Sequence, residues 1–270
     1  MSVLQAARRL GVAALLAAGQ PSQAQPGPVL PPLAVAFAQE VGPRLEVPAD
    51  AAAAYAARLA QAWLSAGIDP GAATQFVLLV DRSPQVQALV LFWGSPADGW
   101  RVVGAAPVST GLPGRYEHFV TPTGVFAHAL ANPDFRAEGT RNDLGIRGYG
   151  RQGSRIFDFG WVAAPKGWGN RAMSVMRLQV HATDPDLLER RLGSAQSKGC
   201  IRIPARVDEF LDRYGVLDAD YDAALAADKG RVPWVLRSDR LPSPWAGRWL
   251  VVVDSQAATR PDWSPAPGAR

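Results

Sequence analysis

Apolar residues recur along this chain with two different periods. In "ADAAAAYAARLAQAWLSAGI" Tyr55, Leu59 and Trp63 stand four apart, the spacing of one helical face, and Gly67 closes the run. The pattern predicts an amphipathic helix with Asp50 as a candidate N-cap. From Gln75 the period shortens. "QFVLLVDRS" and "VQALVLFWG" are β-branched and aromatic runs around a turn, which predicts a hairpin. "WRVVGAAPVSTG", "SRIFDFGWVA", "MRLQVHA" and "RWLVVVDS" extend the strand signal. Two more helices are predicted between them. "DPDLLERRLG" has Asp184 as N-cap, Pro185 in the first turn and Gly193 at the stop. "PARVDEFLDRYG" starts at Pro204, places Val207, Phe210, Leu211 and Tyr214 on one face, and ends at Gly215. The expected fold class is mainly β with peripheral helices.

The flanks read differently. Arg8 and Arg9 precede an apolar run from Leu10 to Ala18, and small residues lead to "SQA". That order predicts a secretory signal peptide over 1–24 and an extracytoplasmic, for instance periplasmic, location. The apolar run is about half the ~20 residues of a membrane span, so no stable span is expected. Residues 25–74 read as a Pro/Ala-rich linker followed by the first helix, 75–256 as a strand-rich domain, and 257–270 as a disordered tail. Without residues 1–24, 26 basic side chains face 24 acidic ones, a net charge of +2. Such a chain lacks the dense cationic stripe that duplex binding needs, so no nucleic-acid partner is expected.

Export makes the only cysteine conspicuous. In "AQSKGCIRIP" Cys200 has no partner within the chain, and an inert thiol, an intermolecular disulfide and a nucleophile all remain open at this point. Alternation narrows the choice. If "MRLQVHA" is a strand, Met176, Leu178 and Val180 share one face and Arg177, Gln179 and His181 the other. If "CIRI" is extended, Ile201 and Ile203 point inward while Cys200 and Arg202 share the outer face. A cysteine nucleophile needs a base in reach, and a short crossover between the two strands brings His181 to Cys200. The amides of Gly199 and Cys200 are then candidates for an oxyanion hole, and the helix after Pro204 favours thiolate. Ser197 reads equally as plain turn chemistry. Three scattered histidines and one cysteine have no metal-ligand spacing, so neither metal nor cofactor is expected. A papain-like protease is disfavoured because there the cysteine precedes the histidine.

His181, fifteen residues, then Ser197-Lys198-Gly199-Cys200 with Arg202 two later resembles the active-site signature of the L,D-transpeptidases, the YkuD-type catalytic domain. "PVSTG" (107–111), "TPTGVF" (121–126) and the opening hairpin resemble that family's preceding elements, in its order. The resemblance implies a β-sandwich or barrel, here with a helical N-terminal extension. It implies Cys200 as nucleophile, His181 as base, the Ala182 carbonyl as the group orienting the imidazole, and Arg202, Ser197 and Lys198 at the substrate. The implied partner is the peptidoglycan stem peptide, with 3–3 cross-linking as the reaction. Release by water (L,D-carboxypeptidation), attachment of a wall-anchored protein, and a catalytically silent peptidoglycan-binding protein are the alternatives. Three departures stand out: Lys198 where the family often has His, Ala182 where it usually has Gly, and a long segment after the cysteine.

Overall fold

The computed structural model describes residues 30–228 and 233–268. The expected signal peptide at 1–24 lies outside the described residues. Two mixed sheets form the body, and the fold is mainly β with few helices. The first sheet contains β1 (Gln75–Asp81), β2 (Ala88–Ser95), β3 (Gly99–Pro107), β4 (Gly124–Ala127) and β9 (Trp249–Val253) in the order β3-β2-β1-β9-β4. The second contains β5 (Phe135–Arg136), β6 (Arg155–Pro165), β7 (Met173–Ala182) and β8 (Ile201–Ile203) in chain order. The predicted hairpin is β1–β2, antiparallel, and β9 joins β1 in parallel.

Period-two alternation decides the layers. Phe76, Leu78 and Val80 of β1 meet Leu178, Val180, Ile201 and Ile203 of the second sheet in one core. Val77 and Leu79 point the other way, onto Tyr55, Leu59 and Trp63 of helix α2 (Ala49–Ala66). Being covered on both faces, β1 is buried throughout, and it reads as a continuous apolar run for that reason. Tyr55 adds a buried hydrogen bond from its hydroxyl to Asp81 Oδ2, 2.7 Å. Pro48, not Asp50, occupies the N-cap of α2; Asp50 sits in the first turn, where a carboxylate complements the helix dipole.

Three expectations about the flanks and helices differ from what is found. The stretch 25–48 holds a short helix, α1 (Ala34–Glu40), whose Phe37 is buried against Gly104 of β3. A Cβ at Gly104 would stand 2.1 Å from that ring, so the glycine makes the seat. Residues 257–268 lie on the protein: Trp263 packs edge-on to Tyr55, and Ser264 donates to the Val86 carbonyl. The helix expected after Asp184 shrinks to turns and a 3-10 turn, Glu189–Arg191. Asp184 does receive the Asp186 and Leu187 amides, but Leu192 turns extended and inserts into the interior.

The segment after Cys200 is held by a buried ion network. Helix α3 (Ala205–Arg213) buries Val207, Phe210 and Leu211 as predicted, and Asp208 and Asp212 as well. Arg155, at the start of β6, is fully buried and reaches Asp134 at 2.7 Å, Asp218 at 2.7 Å and Asp212 at 3.3 Å. Arg136 grips Asp212 with two nitrogens, and Arg240 bridges Asp218 to Asp222 of helix α4 (Ala219–Ala227). His128 donates to the Leu217 carbonyl and to Asp134, both at 2.8 Å. Burial alone would lower its pKa, but Asp134 outweighs burial and raises it. Removing one member of such a network strands the others without water. Arg155→Met should therefore cost about 3–5 kcal/mol, read as a lower urea midpoint at unchanged slope; a loss below about 1 kcal/mol would show that the network is not holding the segment.

Candidate active site

The site is built on the ladder between β7 and β8. These strands run parallel, with Val180 opposite Ile201, His181 opposite Arg202 and Ala182 opposite Ile203. Because Met176, Leu178, Val180, Ile201 and Ile203 enter the core, Arg177, Gln179 and His181 share the other face with Arg202, while Cys200, just before β8, packs partly against the core. Cys200 comes one position before Ile201, the first paired residue of β8. The two strands are joined by the turns of 183–200, the crossover the sequence pattern calls for.

His181 is buried, and its Nδ1 is 2.7 Å from the Ala182 carbonyl. A carbonyl only accepts, so Nδ1 carries the proton and Nε2 is left with a free lone pair. Ala182 finds room because position 150 is glycine: a Cβ there would lie 2.7 Å from the Ala182 methyl. Tyr149 covers the imidazole edge-on, ring centroids 4.7 Å apart.

Cys200 is half-buried, with Sγ 3.6 Å from the Arg177 carbonyl and 4.0 Å from Gln179 Oε1. Burial pushes its thiol up to about 11, against the opposing pull of the Gln179 amide and Arg202. Burial likewise pushes His181 down to about 4. At neutral pH the free protein therefore holds Cys200 as a thiol and His181 as a neutral imidazole. The thiolate bias expected from the following helix is absent, because desolvation outweighs the local dipoles.

The turn before the cysteine is over-determined. Ser197 is buried; its hydroxyl donates to the Cys200 carbonyl at 2.5 Å and accepts the Gly199 amide at 3.0 Å. This is turn chemistry, and it leaves Ser197 no face toward a substrate. It also occupies the Gly199 amide, so of the two expected oxyanion donors the Cys200 amide is the one not spent on that turn. Thr121 donates to the Gly199 carbonyl at 2.6 Å and accepts the Gly111 amide, which explains the value of the "TPTG" segment. Gly199 has φ +133, and a Cβ on it would meet Met176 at 2.8 Å, so glycine is required. Lys198 points outward and pairs with Glu117 at 3.1 Å, both side chains exposed. With Phe119 N donating to the Lys198 carbonyl, it ties the rim segment 112–120 to the cysteine turn. Trp168 packs on Phe119 and Tyr116 at the same rim, while Trp161 stays exposed over the Arg177 guanidinium.

Asp158 was not foreseen. Fully buried, it accepts from Gln179 Nε2 at 2.8 Å, from Arg177 Nε at 2.7 Å and from the Gly160 amide at 2.8 Å. It thereby turns the Gln179 carbonyl toward Cys200 and the Tyr149 hydroxyl. Its aim depends on a register shift between Asp158 and Trp161, where Gly160 has φ +80. That glycine is the one visible trace of it in the sequence.

No protein-family model matches this chain, and no curated protein sequence matches it. Among solved structures, one similar chain is a fused Zn-dependent amidase/peptidase/peptidoglycan-binding domain-containing protein from Clostridium acetobutylicum. The match covers 74% of this chain and 62% of that one, at 15% identity and a TM-score of 0.29. A likeness of that size says nothing about the chemistry of the site.

The resting protonation state is testable. Alkylation of Cys200 by iodoacetamide should accelerate steadily from pH 6 to 10, because thiolate accumulates only as pH approaches about 11. A rate independent of pH over that range would show a preformed thiolate–imidazolium pair instead.

Proposed function

We propose that the chain is a cysteine acyltransferase of the L,D-transpeptidase type, with a YkuD-type catalytic domain over about 75–256, exported by the segment 1–24. The supporting observation is the pairing that sets His181, its Nδ1 committed to Ala182, opposite Arg202, two residues after Cys200. The motif resemblance supplies the substrate class, the stem peptide of peptidoglycan.

The chemistry follows from the protonation states. His181 Nε2 takes the thiol proton as Sγ attacks the carbonyl between the third residue and the terminal D-alanine. The Cys200 amide faces the developing oxyanion. As the tetrahedral adduct collapses, the C–N bond breaks and the imidazolium returns its proton to the departing amine. The thioester is then opened by an amine of a second stem, with the proton passing again through His181. Water in place of that amine gives carboxypeptidation, and a protein lysine gives anchoring. Asp158 acts through Gln179 and Arg177, and is a positioning residue.

Incubation with disaccharide tetrapeptide separates these outcomes. Cross-linked dimers are expected; tripeptide without dimers would make the protein a carboxypeptidase. Absence of both, with retention on insoluble peptidoglycan, would leave a silent binder and overturn the proposal. In the same assay Lys198→His should retain activity, since the Lys198–Glu117 pair is exposed and worth about 0–1 kcal/mol. Complete loss would assign Lys198 a role at the reacting atoms.

A further inference from the structure

The buried ion network behind the site balances only if it holds two extra protons. Among the described residues, four cations take part: His128, Arg136, Arg155 and Arg240. His128 counts as a cation because both ring nitrogens face acceptors, the Leu217 carbonyl and the Asp134 carboxylate, each at 2.8 Å. Asp134 is itself an anion, since its oxygens also take the Arg155 Nε and the Asp158 amide. Asp134, Asp212, Asp218 and Asp222 each hold at least one of the four cations. Asp208 is a fifth carboxyl group, and no cation is left for it. Its Oδ2 accepts the Arg155 amide at 3.1 Å, and its Oδ1 is buried with no partner.

Nothing around Asp208 can stand in for a proton. Asp212 follows one turn later on α3, while Arg136 of β5 and Arg155 of β6 spend their N–H groups on Asp212, Asp134, Asp218 and backbone carbonyls. On the outer side Arg151, Arg206, Glu209 and Arg237 border the adjoining cavity, each already paired: Arg151 with Asp186, Arg206 with Glu209, Arg237 with Asp239. Burial first, and the Asp212 charge second, raise the pKa of Asp208 well above the ordinary carboxylate value. Around His128, Asp134 and Arg155 are the charged neighbours, and Tyr221 stacks on the ring at 5.5 Å. Arg248, whose carbonyl takes the His128 amide, pairs with Asp220. An ionised Asp208 is thus a buried charge without a partner, and a neutral His128 leaves one acceptor bare.

We propose that this network is a pH-sensitive fastening: one proton on Asp208 and a second on His128 keep it electrically neutral, and alkali that removes them leaves two uncompensated negative charges that loosen α3 from β6. The inference goes beyond acyl transfer and stands without it. The fastening ties both sheets, since His128 directly follows β4, Asp134 directly precedes β5 and Arg155 opens β6. It also lies next to the site: α3 starts two residues after β8, and Ile156, beside Arg155, pairs with His181. The folded state binds both protons more tightly than the unfolded chain, so stability falls as pH rises. The Asp208 contribution is whole below pH 3.8 and the His128 contribution below pH 6.5; each is lost as pH rises through that group's raised folded value. Over that window each proton lets the unfolding constant rise up to about tenfold per pH unit.

Urea unfolding of the full-length protein between pH 6 and pH 9 tests the fastening. The wild-type unfolding constant should rise at least about a hundredfold over that range. Asp208→Asn keeps the shape of a neutral carboxyl and cannot ionise, so it should fold, and its rise should be at least tenfold smaller than that of wild type. A wild-type constant that is flat or falls with pH would overturn the proposal, as would a variant that keeps the full rise or fails to fold. Nitrogen NMR of the histidine rings checks the second proton without any substitution. At pH 7 His128 should carry a proton on both nitrogens while His181 carries one; a singly protonated His128 would overturn the two-proton account.

Discussion

Three residue pairs between β7 and β8 carry the whole arrangement. Because side chains alternate, a slip of one residue would send Arg202 into the core and expose Ile201 and Ile203. The register is held from both sides. Val180, Ile201 and Ile203 fill the core, and on the outer edge of β8 Ser109 and Arg202 exchange two backbone hydrogen bonds of 2.9 Å. The "PVSTG" segment therefore works as an extra partner for a strand too short to hold itself. Reaching that register takes a crossover, and the turns pinned by Asp184 and Ser197 supply it.

Burial then sets the chemistry. Sheltered under Tyr149 and next to the Asp158–Gln179 pair, the thiol and the imidazole are both driven to their neutral forms. Neutral forms avoid an uncompensated charge in a poorly hydrated place, and in the proposed acyl transfer they would keep proton transfer coupled to attack. The long segment after the cysteine is held apart from this. It is fastened to β6 through Arg155, one residue before Ile156, which pairs with His181. Asp218 spends its carboxylate on Arg155 and Arg240 and makes no side-chain cap for α4, so the ion network takes precedence over local helix chemistry.

Much of the site was legible because it depends on alternation. "MRLQVHA" and "CIRI" place His181 and Arg202 on one face with nothing more than a period of two, and glycine at 199 marks the tight turn. What escaped is what alternation cannot carry. Asp158 takes its place through a bulge, and Asp208 and Asp212 look like the wet side of an amphipathic helix until Arg155 is seen opposite them. The helix expected from "DPDLLERRLG" gave way because Leu192 found better burial in extended form. The proline-rich stretch before α2 looked like a linker, since one phenylalanine seated on Gly104 leaves no periodic trace.

The most direct measurement is the intact mass of the protein after exposure to a carbapenem, a β-lactam whose strained amide is open to attack by a nucleophilic thiol. Wild type should gain the mass of one drug molecule, carried on Cys200, and Cys200→Ala should gain none. An unmodified wild type, or an adduct that persists in Cys200→Ala, would contradict the assignment of Cys200 as the nucleophile.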